Sequence, residues 1–84
     1  MKKIIVAVRD LKAETFFQPI VADNLAVAMR NFADAAANPD MTIVKHPEDY
    51  ALYRLGEYDM LTGVITGLDQ PVHLCSAEEV LRHA

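Results

Sequence analysis

The stretch KHPEDYALYRLGEYDMLTG, residues 45–63, combines the signals for a turn, a strand and a hairpin in one short segment. Residues 46–49 predict a turn, because proline fixes its own φ and disfavours helical backbone at the residue before it. Residues 50–58 predict a strand. Residues 59–63 predict a hairpin turn, since glycine adopts a positive φ without strain. Residues 64–66 are expected to form the returning strand.

Other segments predict further strands. Residues 3–8 are rich in β-branched side chains and predict a well-buried strand. Residues 16–22 predict an edge strand, because Pro19 has no backbone N–H to contribute to a hydrogen-bond ladder. Short strands are also expected over residues 41–44 and 72–75.

The clearest single element is a helix over residues 24–37. Its apolar side chains recur at spacings of four, three and four residues, which places them on one face. These side chains are Leu25, Met29, Phe32 and Ala36. Asp23 or Asn24 can cap the helix, which is expected to end where Asn38 precedes Pro39. The remaining alanines let it lie close to a sheet.

The end of the chain predicts a second, shorter helix. Residues 76–79 have the spacing of a capping box, so a helix is expected from there to residue 84. The elements together predict an α+β fold, with a small, mostly antiparallel sheet packed against one main helix. A chain of 84 residues supports one modest core, so residues 1–84 are expected to form a single domain.

Composition favours a folded protein in a reducing compartment. Hydrophobic residues make up 52% of the chain. Its one cysteine, Cys75, excludes an intramolecular disulfide framework, which fits the cytoplasm. The apolar run over residues 4–8 is too short for a signal peptide or a membrane span. We therefore expect no membrane association.

Charge is distributed unevenly along the chain. The formal net charge is -4, from 8 Lys and Arg against 12 Asp and Glu. This balance argues against non-specific nucleic-acid binding, which depends on clustered positive charge. Basic residues nevertheless crowd the first strand and its end, namely Lys2, Lys3, Arg9 and Lys12. The asymmetry permits a local basic face.

A metal site or a thiol nucleophile would have to involve Cys75. His73 and Cys75 are two residues apart and would share one face of a strand, with His46 and His83 as conceivable further ligands. The spacing matches no paired-ligand pattern, and a cysteine with apolar neighbours is more typically a small core residue. A thiol nucleophile would need an activating histidine, whereas the three histidines are scattered. We expect neither a metal nor a cofactor.

Carboxylates at both ends of the predicted strand are the remaining candidates for catalysis. They are Glu48, Asp49, Glu57 and Asp59. General acid and base pairs need burial or close approach to separate their pKa values. Carboxylates at turns usually lie in water and cap backbone groups. The chain is therefore not expected to be an enzyme.

The strand over residues 50–58 also suggests binding of nucleic acid. Strict alternation places Tyr50, Arg54 and Tyr58 on one face and Tyr53 on the other. If the first of these faces is exposed, it forms a stacking platform with a central cation, which suits single strands. Further candidates are Lys45 and the N-terminal basic residues for phosphates, with Tyr53, Phe16 and Phe17 for bases.

Four short sequence motifs in a fixed order, within roughly residues 3–68, resemble those of a known protein family. They are the first strand, PIVA at 19–22, AxAxRxFxD at 26–34 and KHPEDY at 45–50. Together they resemble the small nonstructural protein of gokushovirus-type Microviridae, which are single-stranded-DNA bacteriophages. The resemblance implies a non-enzymatic protein that binds DNA where genome replication gives way to single-strand synthesis and packaging. It implies a place in the host bacterial cytoplasm, outside the virion.

Residues and resemblance together predict DNA, above all single-stranded DNA, as the partner. The expected contacts are Lys2, Lys3, Arg9, Lys12, Lys45, Tyr50, Arg54 and Tyr58. The acidic balance favours an alternative, a protein-interaction module that contacts the phage replication initiator or procapsid without direct DNA binding. An exposed edge strand on so small a domain also predicts a homodimer.

Overall fold

The computed structural model describes residues 1–82 of the chain. The strands are β1 (Lys2–Asp10), β2 (Thr15–Phe16), β3 (Ile20–Ala22), β4 (Tyr50–Asp59) and β5 (Ile65–Ser76). The α-helices are α1 (Leu25–Ala37) and α2 (Ala77–Arg82). All strand pairs are antiparallel, in the order β2-β1-β4-β5, and β3 also pairs with β1. The predicted α+β class is confirmed.

The predicted hairpin is present as β4 and β5. The Asp59 N–H donates to the Val64 carbonyl at 2.9 Å, and the Gly63 N–H donates to the Asp59 carbonyl at 2.8 Å. The Asp59 carboxylate accepts a further hydrogen bond from the Leu61 N–H at 2.9 Å. Gly63 has a φ of 76°, the left-handed conformation that glycine adopts at low cost.

The core lies between the sheet and the helices. Asn24 caps α1, since its Oδ1 accepts from the Val27 N–H at 3.0 Å. Of the predicted stripe, Phe32 and Ala36 are buried, but Leu25 is 40% exposed at the first turn. The buried cluster that unites the elements consists of Val6, Ala22, Ala28, Phe32, Ala36, Ile43, Tyr50, Leu52, Cys75 and Ala77.

The C-terminal capping box forms as predicted. The Glu79 N–H donates to Ser76 Oγ at 3.0 Å, and the Ser76 N–H donates back to Glu79 Oε1 at 3.2 Å. The helix that follows, α2, runs to Arg82; the predicted continuation over residues 83–84 lies outside the described residues. Ala77 joins the core, with Val80 and Leu81 packed against it. Among residues 1–82, no helix has both the length and the apolar character needed to cross a membrane.

Two predicted strands differ in the structure. The strand expected over residues 41–44 is wrong, because this segment forms a 3-10 helix, Thr42–Lys45, with Ile43 inserted into the core. The strands expected over residues 64–66 and 72–75 belong to a single strand, β5, which continues through Pro71. An edge strand accommodates proline because one of its sides needs no backbone donor. The predicted edge over residues 16–22 forms as β2 and β3, both paired with β1.

Candidate nucleic-acid interface

The two faces of the sheet differ in what covers them. Ile4, Val6 and Val8 of β1 pack into the core beneath the helices. Alternate residues of a strand point to opposite faces, and cross-strand partners share a face. The face opposite the core, here called the outer face, therefore carries Lys3, Ile5, Ala7, Arg9, Phe16, Val21, Ala51, Tyr53, Gly56, Tyr58, Ile65, Gly67 and His73.

Three rings from three strands form a row across the outer face. The Phe16 and Tyr53 ring centroids lie 5.5 Å apart at an interplanar angle of 84°. The Tyr53 and His73 centroids lie 5.4 Å apart at 88°. Both contacts are edge-to-face, the geometry that the ring quadrupoles favour. We call Phe16, Tyr53 and His73 the aromatic row.

Arg9 adds a cation at one end of the aromatic row. Its guanidinium carbon lies 5.2 Å from the centroid of the Phe16 ring, within the range of a cation–π contact. Arg9 is half-buried, and its Nε has no hydrogen-bond partner within the described part of the chain. Arg9 and Tyr53 also shield their small cross-strand partners, Ala51 and Ala7, which are buried. The two alanines therefore lie beneath the side chains of Arg9 and Tyr53.

The other predicted basic contacts are spread over several surfaces. Lys3 Nζ lies 3.0 Å from an Asp23 carboxylate oxygen, and Lys2 Nζ lies 3.5 Å from one of Glu57. Lys12 is exposed in the turn after Arg9. Lys45 is exposed at the end of the 3-10 helix, Thr42–Lys45. Lys3, Arg9 and Lys12 therefore follow β1 and its turn, whereas Lys45 lies on another element.

The prediction that Tyr50, Arg54 and Tyr58 form one exposed platform is wrong. Tyr50 is 7% exposed and belongs to the core. Arg54 pairs with Val6 on the helix-bearing face, where its Nη2 donates to Glu57 Oε1 at 2.9 Å. Tyr58, by contrast, pairs with Lys3 on the outer face. These three side chains do not share one exposed surface.

An extra residue in β4 is the reason that Tyr58 and Arg54 lie on opposite faces of the sheet. Ile5 pairs with Gly56 and Val6 with Arg54, so Leu55 has no partner on β1. Such a β-bulge reverses the inward and outward alternation beyond it. Tyr58 consequently lies on the face opposite Arg54. The isolated glycine at position 56 is the sequence signal that indicates a bulge at this point.

A second irregularity separates His73 from Cys75. His73 pairs with Tyr53 on the outer face, whereas Cys75 pairs with Leu52 in the core, because Leu74 is the extra residue between them. The expectation that His73 and Cys75 share a face is therefore wrong. Burial raises the pKa of the Cys75 thiol, and the nearby Glu79 carboxylate acts in the same direction. The fourth conceivable ligand, His83, lies outside the described residues.

One group of potential metal ligands does come together in the turn before β4. Ligand atoms of His46, Glu48 and Asp49 all lie within 4.8 Å of one another. His46 and Glu48 are exposed, and Asp49 is half-buried. Exposed polar groups in turns usually interact with water and backbone. Their proximity alone assigns no metal site.

The sequence pattern indicates two of the three rings of the aromatic row as stacking candidates, but not their arrangement. Phe16 and Tyr53 were expected as stacking candidates, and Arg9 as a phosphate contact, whereas His73 was considered only as a metal ligand. Alternation is regular along β1 and at the start of β4, but only the pairing of the two strands places Arg9 and Tyr53 on one face. Placing His73 beside them requires the irregular pairing of β5. That pairing leaves no regular pattern in the sequence.

Comparison with known proteins adds one match. No curated protein sequence and no solved structure matches the chain. The family model described as Phage ORF5 protein matches residues 3–80. This range includes all of α1 and every strand of the sheet, apart from the first residue of β1, Lys2. Because the match extends over nearly the whole chain, this protein belongs to the Phage ORF5 protein family and is a phage protein.

Proposed function

We propose that this phage protein binds single-stranded DNA without catalysis, through the outer face of its sheet. Its role would be the one that the gokushovirus resemblance implies, at the switch from genome replication to single-strand synthesis and packaging. The host cytoplasm is the corresponding location, outside the virion. The observation that carries the proposal is the aromatic row with Arg9 at its end.

The row favours single strands over duplex DNA. Unpaired bases expose their faces and stack on aromatic side chains, whereas the bases of a duplex are already stacked on one another. Tyr53 and Phe16 are half-buried, and His73 is exposed. The rings are thus fixed by packing yet still reach the surface. Stacking of this kind tolerates any base, which suits a protein that coats a viral strand.

Phosphate contacts are expected from Arg9 and from Lys12 and Lys3, which lie along the same strand and its turn. Lys3 would exchange its Asp23 partner for phosphate. The net charge of -4 opposes approach of the DNA backbone. Binding should therefore weaken as salt rises, but with a modest slope, because only a few phosphates are neutralised.

A salt-titrated binding assay with single-stranded and duplex DNA tests the proposal, and adjacent phenylalanines provide the variant and its control. Phe16 belongs to the aromatic row. Phe17 is 48% exposed but contacts Tyr50 on the helix side, with ring centroids 6.1 Å apart. Phe16→Ala should weaken single-strand binding by about 1–3 kcal/mol for each base that loses its stacking partner, with little change in the salt slope. Phe17→Ala should bind as the wild type does.

Circular dichroism must show that both variants remain folded. Equal losses in the two variants would exclude the aromatic row as the site. If the wild type retains neither single-stranded nor duplex DNA at about 50 mM salt, where electrostatic attraction is strong, DNA binding itself is contradicted.

The second candidate is a protein-interaction module that contacts the phage replication initiator or procapsid. Exposed apolar side chains on the edge strand β5 favour it, namely Ile65, Leu68 and Val72. The acidic net charge is also compatible with a protein partner. Absence of DNA binding together with direct binding to purified initiator or procapsid would support this function over the first.

A further inference from the structure

An apolar cleft of about 320 Å³ lies next to the aromatic row on the outer face. Its walls are Ile5, Val21, Leu55 and Ile65 from four strands, together with Pro19 from the segment between β2 and β3. Two glycines that face each other across β4 and β5, Gly56 and Gly67, form its floor. No charged side chain of the described residues lines it.

The glycine floor makes the cleft concave. A Cβ on Gly56 would lie 2.3 Å from the Thr66 carbonyl oxygen, so the backbones approach too closely there for any side chain. A Cβ on Gly67 would meet nothing within 4 Å, because the space above it is open. Backbone is therefore bare at the centre of an otherwise apolar surface. A protruding apolar side chain fits this shape.

The same hairpin provides such protrusions. Leu61 in the turn is 82% exposed, Val64 is 55% exposed and Ile65 is 68% exposed. Ile65 also forms one wall of the cleft, so the protruding turn and the cleft are continuous. A two-fold interface requires one surface patch to complement itself. A patch that holds both a cleft and a protrusion meets this requirement.

We propose that the cleft and the hairpin turn form a homodimer interface, in which Leu61 and Val64 of each copy pack into the cleft of the other. The exposed parts of Val21, Leu61, Val64 and Ile65 amount to roughly 400 Å² per copy, about half of what a standard interface buries on each partner. The other cleft walls, Ile5, Pro19 and Leu55, and the bare glycine backbone add to this area. The largest apolar patch on an ordinary monomer is about this size and is often functional.

The charge around the cleft is compatible with a second copy as its occupant. Two copies that each carry a net charge of -4 repel one another at long range. The cleft lining is uncharged, so close contact there brings no like charges together. An uncharged lining also offers no charged group to select a different partner. The self-complementary shape of the patch is therefore what favours a second copy.

Sedimentation velocity from low micromolar to several hundred micromolar protein tests the proposal with two charge substitutions on the same strand. Ile65→Glu places a carboxylate in the cleft wall. Val72→Glu is the matched control, because Val72 is 50% exposed but pairs with Arg54 on the helix-bearing face. Both sites are exposed, so both variants should fold, which circular dichroism checks.

We expect the wild type and Val72→Glu to sediment as dimers and Ile65→Glu to sediment as a monomer across the range. A wild-type monomer at every concentration would overturn the proposal. So would an Ile65→Glu dimer, or dissociation by Val72→Glu to the same extent. DNA binding is not measured in this experiment, so its result is independent of the function proposed above.

Discussion

At the scale of single residues, Gly56 fixes the shape of the outer face. The residue lies just after the bulge at Leu55, and the Thr66 carbonyl oxygen occupies the place that its side chain would need. A Cβ at 2.3 Å from that oxygen would force the paired backbones apart. The same approach keeps the floor of the apolar cleft free of side chains.

Gly56→Ala should therefore destabilise the protein by about 1–3 kcal/mol, the usual cost of overpacking a tight site. Gly67→Ala is the control, because that position has open space and an ordinary backbone conformation. It should be neutral or stabilise the fold by up to about 1 kcal/mol through loss of unfolded-state entropy. Urea unfolding of both variants measures the difference. Equal stability of the two alanine variants would show that the close approach at Gly56 relaxes at little cost.

At the scale of elements, Phe32 is the one large side chain of α1 that is fully buried in the core, and Met29 packs partly against the same core. The Phe32 ring is 4% exposed, and its helical neighbours in the core, Ala28 and Ala36, are too small to replace its contacts. Alanine on both sides lets the helix approach closely, which concentrates the apolar contact on one large side chain. The stability of the layer of helices should depend on it.

Phe32→Ala should lower the free energy of unfolding by about 3–5 kcal/mol. Leu25→Ala provides the comparison on the same helix, since Leu25 is 40% exposed and its removal should cost less than about 1 kcal/mol. Chemical denaturation of the two variants decides the matter. A loss below about 1 kcal/mol for Phe32→Ala would mean that the ring can be removed without leaving a cavity.

Elements with a clear period were predictable from sequence, whereas irregular pairings were not. The stripe through Phe32 predicted α1, and the turn around Gly63 predicted the β4–β5 hairpin. The extra residues Leu55 and Leu74 shift register without changing the apolar character of their strands, so strict alternation placed Tyr58 and His73 wrongly. The segment around Ile43 is short and apolar, so its sequence fits a strand as well as the 3-10 helix that it forms. Whether a neighbouring strand is available to pair with it depends on the tertiary fold.

At the scale of the whole molecule, the aromatic row and the cleft occupy separate regions of the outer face, and of the proposed phosphate contacts only Lys3 lies on the side of the cleft. The aromatic row lies beside Ala7 and Arg9 of β1, whereas the cleft lies beside Ile5 of the same strand. The hairpin turn lies near the start of β1. A dimer whose contact is confined to the cleft and the turn would leave both aromatic rows accessible. Each dimer would present two DNA sites, and one strand long enough to reach both would bind them together.

This arrangement predicts that avidity depends on the dimer. Once one site holds the strand, the second encounters it at a high effective concentration, so a long oligonucleotide should bind at least about 100-fold more tightly than a short one. A short oligonucleotide of about 4–8 nucleotides occupies one site. Ile65→Glu should abolish the gain from length but keep the affinity for the short oligonucleotide, while Val72→Glu should keep both. Fluorescence anisotropy at fixed salt measures all six affinities, those of the wild type and the two variants for the short and the long oligonucleotide. Loss of short-oligonucleotide binding in Ile65→Glu would place the cleft within the DNA site, and a retained gain from length would show that avidity does not need the dimer.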